Sequence, residues 1–128
     1  MYYINKELEH ITFPEAERRV REELQKEGFG VLTEINVRDK FREKLNIEFR
    51  QYKILGACNP PFAYKALNTE DKIGTMLPCN IIIQDTGNGS IEIAVIDPVV
   101  SMQAVKNEKL AEIASEIREK LARVIKSV

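Results

Sequence analysis

The chain has 128 residues, 44% of them hydrophobic and 30% charged, with 19 basic side chains against 20 acidic ones. That length suits one domain with its own core, and those proportions exclude a disordered or collagen-like chain. A formal net charge of -1 supplies no global field to steer nucleic acid or an anionic membrane, so neither is expected as a partner.

The start, Met1-Tyr2-Tyr3-Ile4-Asn5-Lys6, lacks the basic beginning and apolar run of a signal peptide. No apolar stretch is long enough to span a bilayer. Two cysteines without an export signal predict free thiols in a reducing compartment, the cytoplasm. There is no internal repeat, low-complexity tract or Ser/Gly-rich linker, so residues 1–128 read as a single domain.

Residues 2–8 read as a first strand. Thr12-Phe13-Pro14-Glu15 opens a helix: Thr12 caps, Glu15 completes a capping box, and Pro14 is tolerated in the first turn. Phe13, Ala16, Val20 and Leu24 follow at helical spacing, and Gly28 stands where a left-handed C-terminal cap belongs. Residues 29–37 alternate, placing Phe29, Val31, Ile35 and Val37 on one face and Glu34 and Asn36 on the other. Val37, Phe41 and Leu45 then recur every fourth residue, predicting a short helix stopped at Asn46. Residues 52–58 form the next strand, ended by Asn59-Pro60-Pro61. Asn59 reads as an N-cap and Pro60 as the first residue of a short helix through Leu67. A turn-rich stretch, 69–77, is closed by Pro78.

Residues 80–85 and 91–96 are β-branched runs joined by Thr86-Gly87-Asn88-Gly89-Ser90, a hairpin with an Asn-Gly turn. After Asp97-Pro98 and a short apolar link, Asn107 caps the strongest element. Leu110, Ile113, Ala114, Ile117, Leu121, Val124 and Ile125 draw one apolar stripe, with Glu116–Lys120 and Glu119–Arg123 pairs expected on the wet side. A helix of ~19 residues would be ~28 Å long, enough to lie across a sheet. The order is β-α-β4-α with small helical inserts. The fold class is therefore α+β, an antiparallel sheet with two main helices packed on one face.

The later strands do not alternate cleanly. Ile54 and Leu55 point opposite ways, as do Ile82 and its neighbours Ile81 and Ile83, and Ile96 and Val95. Both faces of the sheet are thus partly apolar, and large exposed apolar patches are uncommon on monomers. The second face calls for a cover: the insert 60–77, a second copy of the chain as a homodimer, or a small apolar ligand.

Cys58, in Gly56-Ala57-Cys58-Asn59-Pro60, closes one strand, and Cys79, in Leu77-Pro78-Cys79-Asn80, opens the next. Antiparallel strands would bring them to one end of the sheet; a parallel crossover would separate them. Cys58 stands just before a helix N-terminus, where free N–H groups stabilise a thiolate. The plainer role is packing, the usual fate of free cysteine. The candidate binding or thiol residues are Cys58, Asn59, Cys79 and Asn80. Zinc needs about four ligands, and beside the cysteines there is only His10, so no metal site and no cofactor is implied. Gly28-Phe29-Gly30 follows a helix rather than opening one and is no dinucleotide fingerprint. Phosphate loop, nucleophile elbow and His-containing triad are all missing. Asp97, between a buried strand and Pro98, reads as a turn former.

The stretches Gly28-Phe29-Gly30-Val31-Leu32-Thr33-Glu34-Ile35, Tyr52-Lys53-Ile54-Leu55-Gly56-Ala57-Cys58-Asn59-Pro60 and Leu77-Pro78-Cys79-Asn80 resemble the bacterial and archaeal domain-of-unknown-function family 302. The resemblance runs from about Tyr2 to the final helix. It implies a fold of the TATA-binding-protein-like type, a tendency to form homodimers, and attention to both cysteine motifs, but no activity. Likeness to a DNA-binding fold does not carry DNA binding with it. The expected function is that of a small dimeric, non-enzymatic binding domain. The alternative is a thiol-based protein, a sulfur carrier, redox sensor or soft-metal binder, using Cys58 and Cys79.

Overall fold

The computed structural model describes all 128 residues. In chain order the elements are β1 (Tyr3–Glu9), α1 (Phe13–Lys26), β2 (Gly30–Asn36), α2 (Val37–Leu45), β3 (Tyr52–Cys58), α3 (Pro60–Thr69), a 3-10 segment (Asp71–Met76), β4 (Cys79–Gly87), β5 (Ser90–Ile96), α4 (Pro98–Ser101) and α5 (Glu108–Ser127). The five strands form one sheet in the order β1-β5-β4-β3-β2, every neighbouring pair antiparallel. No helix is long and apolar enough to cross a membrane.

Local chemistry sets the helix ends. The Thr12 hydroxyl accepts from the Glu15 N–H at 3.2 Å. The capping box is only half made, because the Glu15 carboxylate turns to Arg18 and Arg19. At the other end Gly28, at φ +85°, lets Phe29 N–H reach Leu24 O at 2.9 Å and its own N–H reach Gln25 O at 3.0 Å. That is a Schellman closure. Asn46, at φ 53°, ends α2 in the same left-handed region. The Asn107 side chain accepts from Lys109 and Leu110 N–H to start α5, and its amide donates to Thr69 O at the end of α3.

The core lies between one face of the sheet and α1 and α5. Val20 and Leu24 from α1, and Leu121 and Val124 from α5, meet Leu55, Ile81, Ile83, Ile93 and Val95. All of these are essentially solvent-free, and each fully buried side chain of this size is worth ~1.5–3 kcal/mol of transfer free energy. At the edge strand, Lys6 points to the same face and donates to the carbonyls of Lys126 and Val128, which end α5 without caps of their own. The charges of α5 pair differently from the helical spacing. Lys120 and Arg123 both turn to Glu27 of the α1 terminus, and Arg118 to Asp97. A partner on a neighbouring element displaces the weaker pairing along one helix, worth only ~0.2–0.5 kcal/mol.

Three expectations are corrected. The alternation over 29–37 breaks at a bulge between Val31 and Thr33. Val31 stays on the core face, but Thr33 and Ile35 swing to the opposite face and Glu34 to the helix side, where it meets Lys53 at 2.7 Å. Leu32, in the bulge, is 67% exposed. Second, the apolar link after Asp97 is the short helix α4, capped by the Asp97 side chain accepting from Val99 N–H at 3.0 Å. Third, the insert does not cover the second sheet face. Ala66 of α3 and Ile73 of the 3-10 segment pack with Met102, Leu110 and Ala114 at the start of α5. The insert therefore extends the helix layer and leaves the other face open.

Candidate functional site

Two regions gather the residues of interest, one on each side of the sheet. On the helix side, Cys58 ends β3 and Cys79 begins β4. Because these strands are antiparallel, with Ala57 opposite Cys79, both cysteines sit at the same end. Both line one cavity of about 40 Å³ beneath α3 and α5. Its walls include Phe29, Phe62, Leu77, Met102 and Ile117, and 12 of its 14 lining residues are hydrophobic. Burial, with the neighbouring Cys58 adding to it, pushes the Cys79 thiol up to about 11. That keeps Cys79 protonated at neutral pH and opposes an activated thiolate there.

Asn59 belongs to this region, but its role differs from the one expected. It precedes α3 and makes no side-chain cap. Its amide instead donates to Glu27 O at 3.2 Å, tying the end of α1 to the start of α3. Gly28 leaves room for it: a Cβ there would lie 3.0 Å from the Asn59 amide nitrogen. The N-terminus of α3 is also a poor anion site. Pro60 and Pro61 have no N–H, and the Ala63 N–H is taken by Asn59 O at 2.9 Å. Most of the donors that would hold a Cys58 thiolate are thus missing.

Asn80 parts company with the other three. Its register partner is Gly56, and it faces the opposite side of the sheet. Met102, which follows α4, is the cavity residue that periodicity did not single out. Its signal was present: Asp97-Pro98 is a cap-and-proline helix start, and Met102 falls one turn after Pro98.

On the open face, register places Ile35 beside Ile54, Ile54 beside Ile82, Ile82 beside Ala94 and Ala94 beside Asn5. An apolar row thus crosses the sheet. Tyr2 and Tyr3, edge to face at 5.0 Å, stand at one end with Ile96. Next to the row runs a polar chain in which Arg50 donates to Gln84, Gln84 to Glu92, and Asn5 also to Glu92, at 2.7–2.9 Å. The Arg50 guanidinium lies 4.4 Å over the Phe49 ring and 5.5 Å over that of Tyr52. Together these side chains line a groove of about 390 Å³.

The remaining candidates hold structural positions. Asp97, buried, caps α4 and pairs with Arg118 at 2.8 Å. His10 is exposed in the β1–α1 turn at φ 56°. Nowhere do three or more His, Cys, Asp or Glu side chains gather as a metal cluster.

The architecture defines an α+β domain: a five-stranded antiparallel sheet, helices on one face, and a sulfur-containing cavity under the helix layer. The chain belongs to the family described as Domain of unknown function DUF302, whose model matches residues 4–128. It is similar to the uncharacterized conserved protein DUF302 from Bacillus stearothermophilus, known from a crystal structure. The two are 30% identical, superpose with a TM-score of 0.91, and the match covers 99% of this chain and 98% of that one. No match is found among curated proteins.

Proposed function

We propose that the protein is a small, non-enzymatic interaction domain that pairs with a second copy of itself through the open face of its sheet. The apolar row Ile35–Ile54–Ile82–Ala94 carries this reading. An antiparallel sheet with one wet face ordinarily bears polar side chains there, and the insert that would have covered the row packs elsewhere. The polar neighbours favour burial too: Arg50, Gln84, Glu92 and Asn5 already satisfy one another, so covering them leaves few unmet hydrogen bonds. A two-fold axis through the row would make the contact self-complementary.

Size-exclusion chromatography with light scattering tests this. The expected result is a dimer that Ile82→Glu converts to a folded monomer, because the new charge would be buried without a partner. A wild-type monomer at micromolar concentration sinks the proposal, and a monomer that retains an apolar molecule assigns the groove to a ligand instead.

A second reading rests on the shared cavity of Cys58 and Cys79: a thiol-based protein that uses the pair. Its test is the alkylation rate of each cysteine against pH in the native protein, read separately by mass spectrometry. Labelling of both only after denaturation makes them packing residues.

A further inference from the structure

The cavity beneath α3 and α5 has a composition that hydrophobic packing alone does not require. The chain has five sulfur side chains, 2 Cys and 3 Met, and three of them, Cys58, Cys79 and Met102, line this one space. They come from three separate places: the end of β3, the start of β4 and the residue after α4. Cys79 and Met102 are both buried, and Cys58 is half-buried.

The cavity is large enough for a small occupant but ill suited to water. A water needs a cavity of roughly 10–15 Å³ and two to four polar partners. This one has about 40 Å³, and apart from the sulfurs Asn59 is its single polar side chain, with one amide hydrogen already given to Glu27. An occupant that prefers sulfur and does not need oxygen or nitrogen donors fits better.

We propose that this cavity is a binding site for one soft monovalent cation, copper(I), ligated by the sulfurs of Cys58, Cys79 and Met102. This deepens the second, thiol-based reading and rests on it. Thiolate and thioether sulfur select soft, low-coordinate ions. Zinc is disfavoured: it takes about four ligands from Cys, His, Asp and Glu, and the cavity offers no imidazole or carboxylate. Charge points the same way, since one copper(I) and one thiolate are together neutral and no cation lines the space to offset an excess. On binding, a thiol gives its proton to solvent as its sulfur takes the ion, so uptake releases at least one proton. The opposing wall comes from the insert and α5, which excludes water from the ion. The three sulfurs sit on separate elements held by the second small core of Ala66, Ile73, Leu110 and Ala114.

Anaerobic titration with copper(I), in competition with the chelator bicinchoninate, tests the site. The folded protein is expected to hold one equivalent, with X-ray absorption showing sulfur-only coordination. Cys58→Ser, Cys79→Ser and Met102→Leu should each weaken binding at least about tenfold, the scale that even the loss of an outer partner produces. Met102→Leu conserves volume and keeps the test valid should a serine variant fail to fold, as checked by circular dichroism. Wild-type affinity no better than that of the serine variants overturns the proposal, as does Met102→Leu binding like wild type. Native alkylation of the same samples separates the two ideas. Thiols that label readily but do not hold copper(I) leave the thiol-based reading standing and remove the cation site; thiols that neither label nor bind remove both.

Discussion

Gly56 offers a sharp test of how the second half of the sheet is closed. It lies in the middle of β3, on the open face, yet is buried. The cause is close approach from two sides: a Cβ added there would stand 2.1 Å from Thr33 Oγ1 and 2.7 Å from Pro78 Cγ. Gly56→Ala is therefore a contest between two effects. Alanine restricts the unfolded chain and would by itself stabilise by ~0.4–1 kcal/mol. Overpacking costs ~1–3 kcal/mol. The Thr33 hydroxyl can rotate away, whereas the Pro78 ring cannot, so overpacking wins and a net loss of about 1–2 kcal/mol is expected. Urea denaturation should show a lower midpoint with an unchanged slope.

Thr33→Ala removes the nearer of the two obstacles. Thr33 is exposed, so that change alone should stay within ~0.5 kcal/mol of wild type. Combined with Gly56→Ala it should recover part of the loss, a coupling of roughly 0.5–1.5 kcal/mol. Gly56→Ala as stable as wild type would refute the close approach, and strict additivity would refute the part assigned to Thr33.

The Cys79 thiol is held protonated up to about 11, against an ordinary value of 9.0, by burial and by Cys58. The unfolded chain loses this proton first, so the contribution is whole below pH 9 and fades as pH rises toward 11. About 1 kcal/mol should be lost between pH 8 and pH 10, read as wild type minus Cys79→Ala in thermal or urea unfolding, with parallel curves as the contrary result. Leu121→Ala, at a site with no solvent exposure, should cost ~2–5 kcal/mol in the same unfolding assay. Asn59→Ala, which leaves the Glu27 carbonyl without its side-chain donor, should cost ~1–3 kcal/mol. Asn59→Asp should not restore stability, because a carboxylate cannot donate; hydrogen exchange would locate the loss at the end of α1.

The parts of the fold that were legible in the sequence are those governed by neighbours along the chain. Thr12, Gly28, Asn46 and Asn107 mark helix ends through bonds spanning only a few residues, and the α5 stripe names its own buried face. What periodicity missed depends on distant partners. Val31, Thr33 and Ile35 read as uninterrupted alternation because a bulge leaves no compositional mark in β-branched residues. Asn59 before two prolines has every local sign of a cap, yet its amide serves a carbonyl 32 residues earlier. Lys120 and Arg123 have acceptable partners on their own helix and take Glu27 across the layer instead. For the candidate site, whether Cys58 and Cys79 met depended on strand direction, and only the pairing of β3 with β4 decided it. Met102 joined them by a third route, from a segment that read as a link.

The period-two geometry of β4 explains why one short motif serves both sides of the sheet. In Leu77-Pro78-Cys79-Asn80, Cys79 enters the cavity beneath α5 while the next residue, Asn80, enters the open groove. A slip of one residue would exchange them, burying an amide among apolar side chains and exposing a thiol. Register is pinned on both flanks by the isoleucine triplet that follows. Ile81 and Ile83 are sealed under α1 and α5, and Ile82 lies in the apolar row between Ile54 and Ala94. The doubly apolar strand is therefore asymmetric in purpose: its core face would specify the fold even if the open face were polar. Ile82 is not needed to hold β4 in place, which is the physical reason for assigning the apolar character of the open face to a partner rather than to stability.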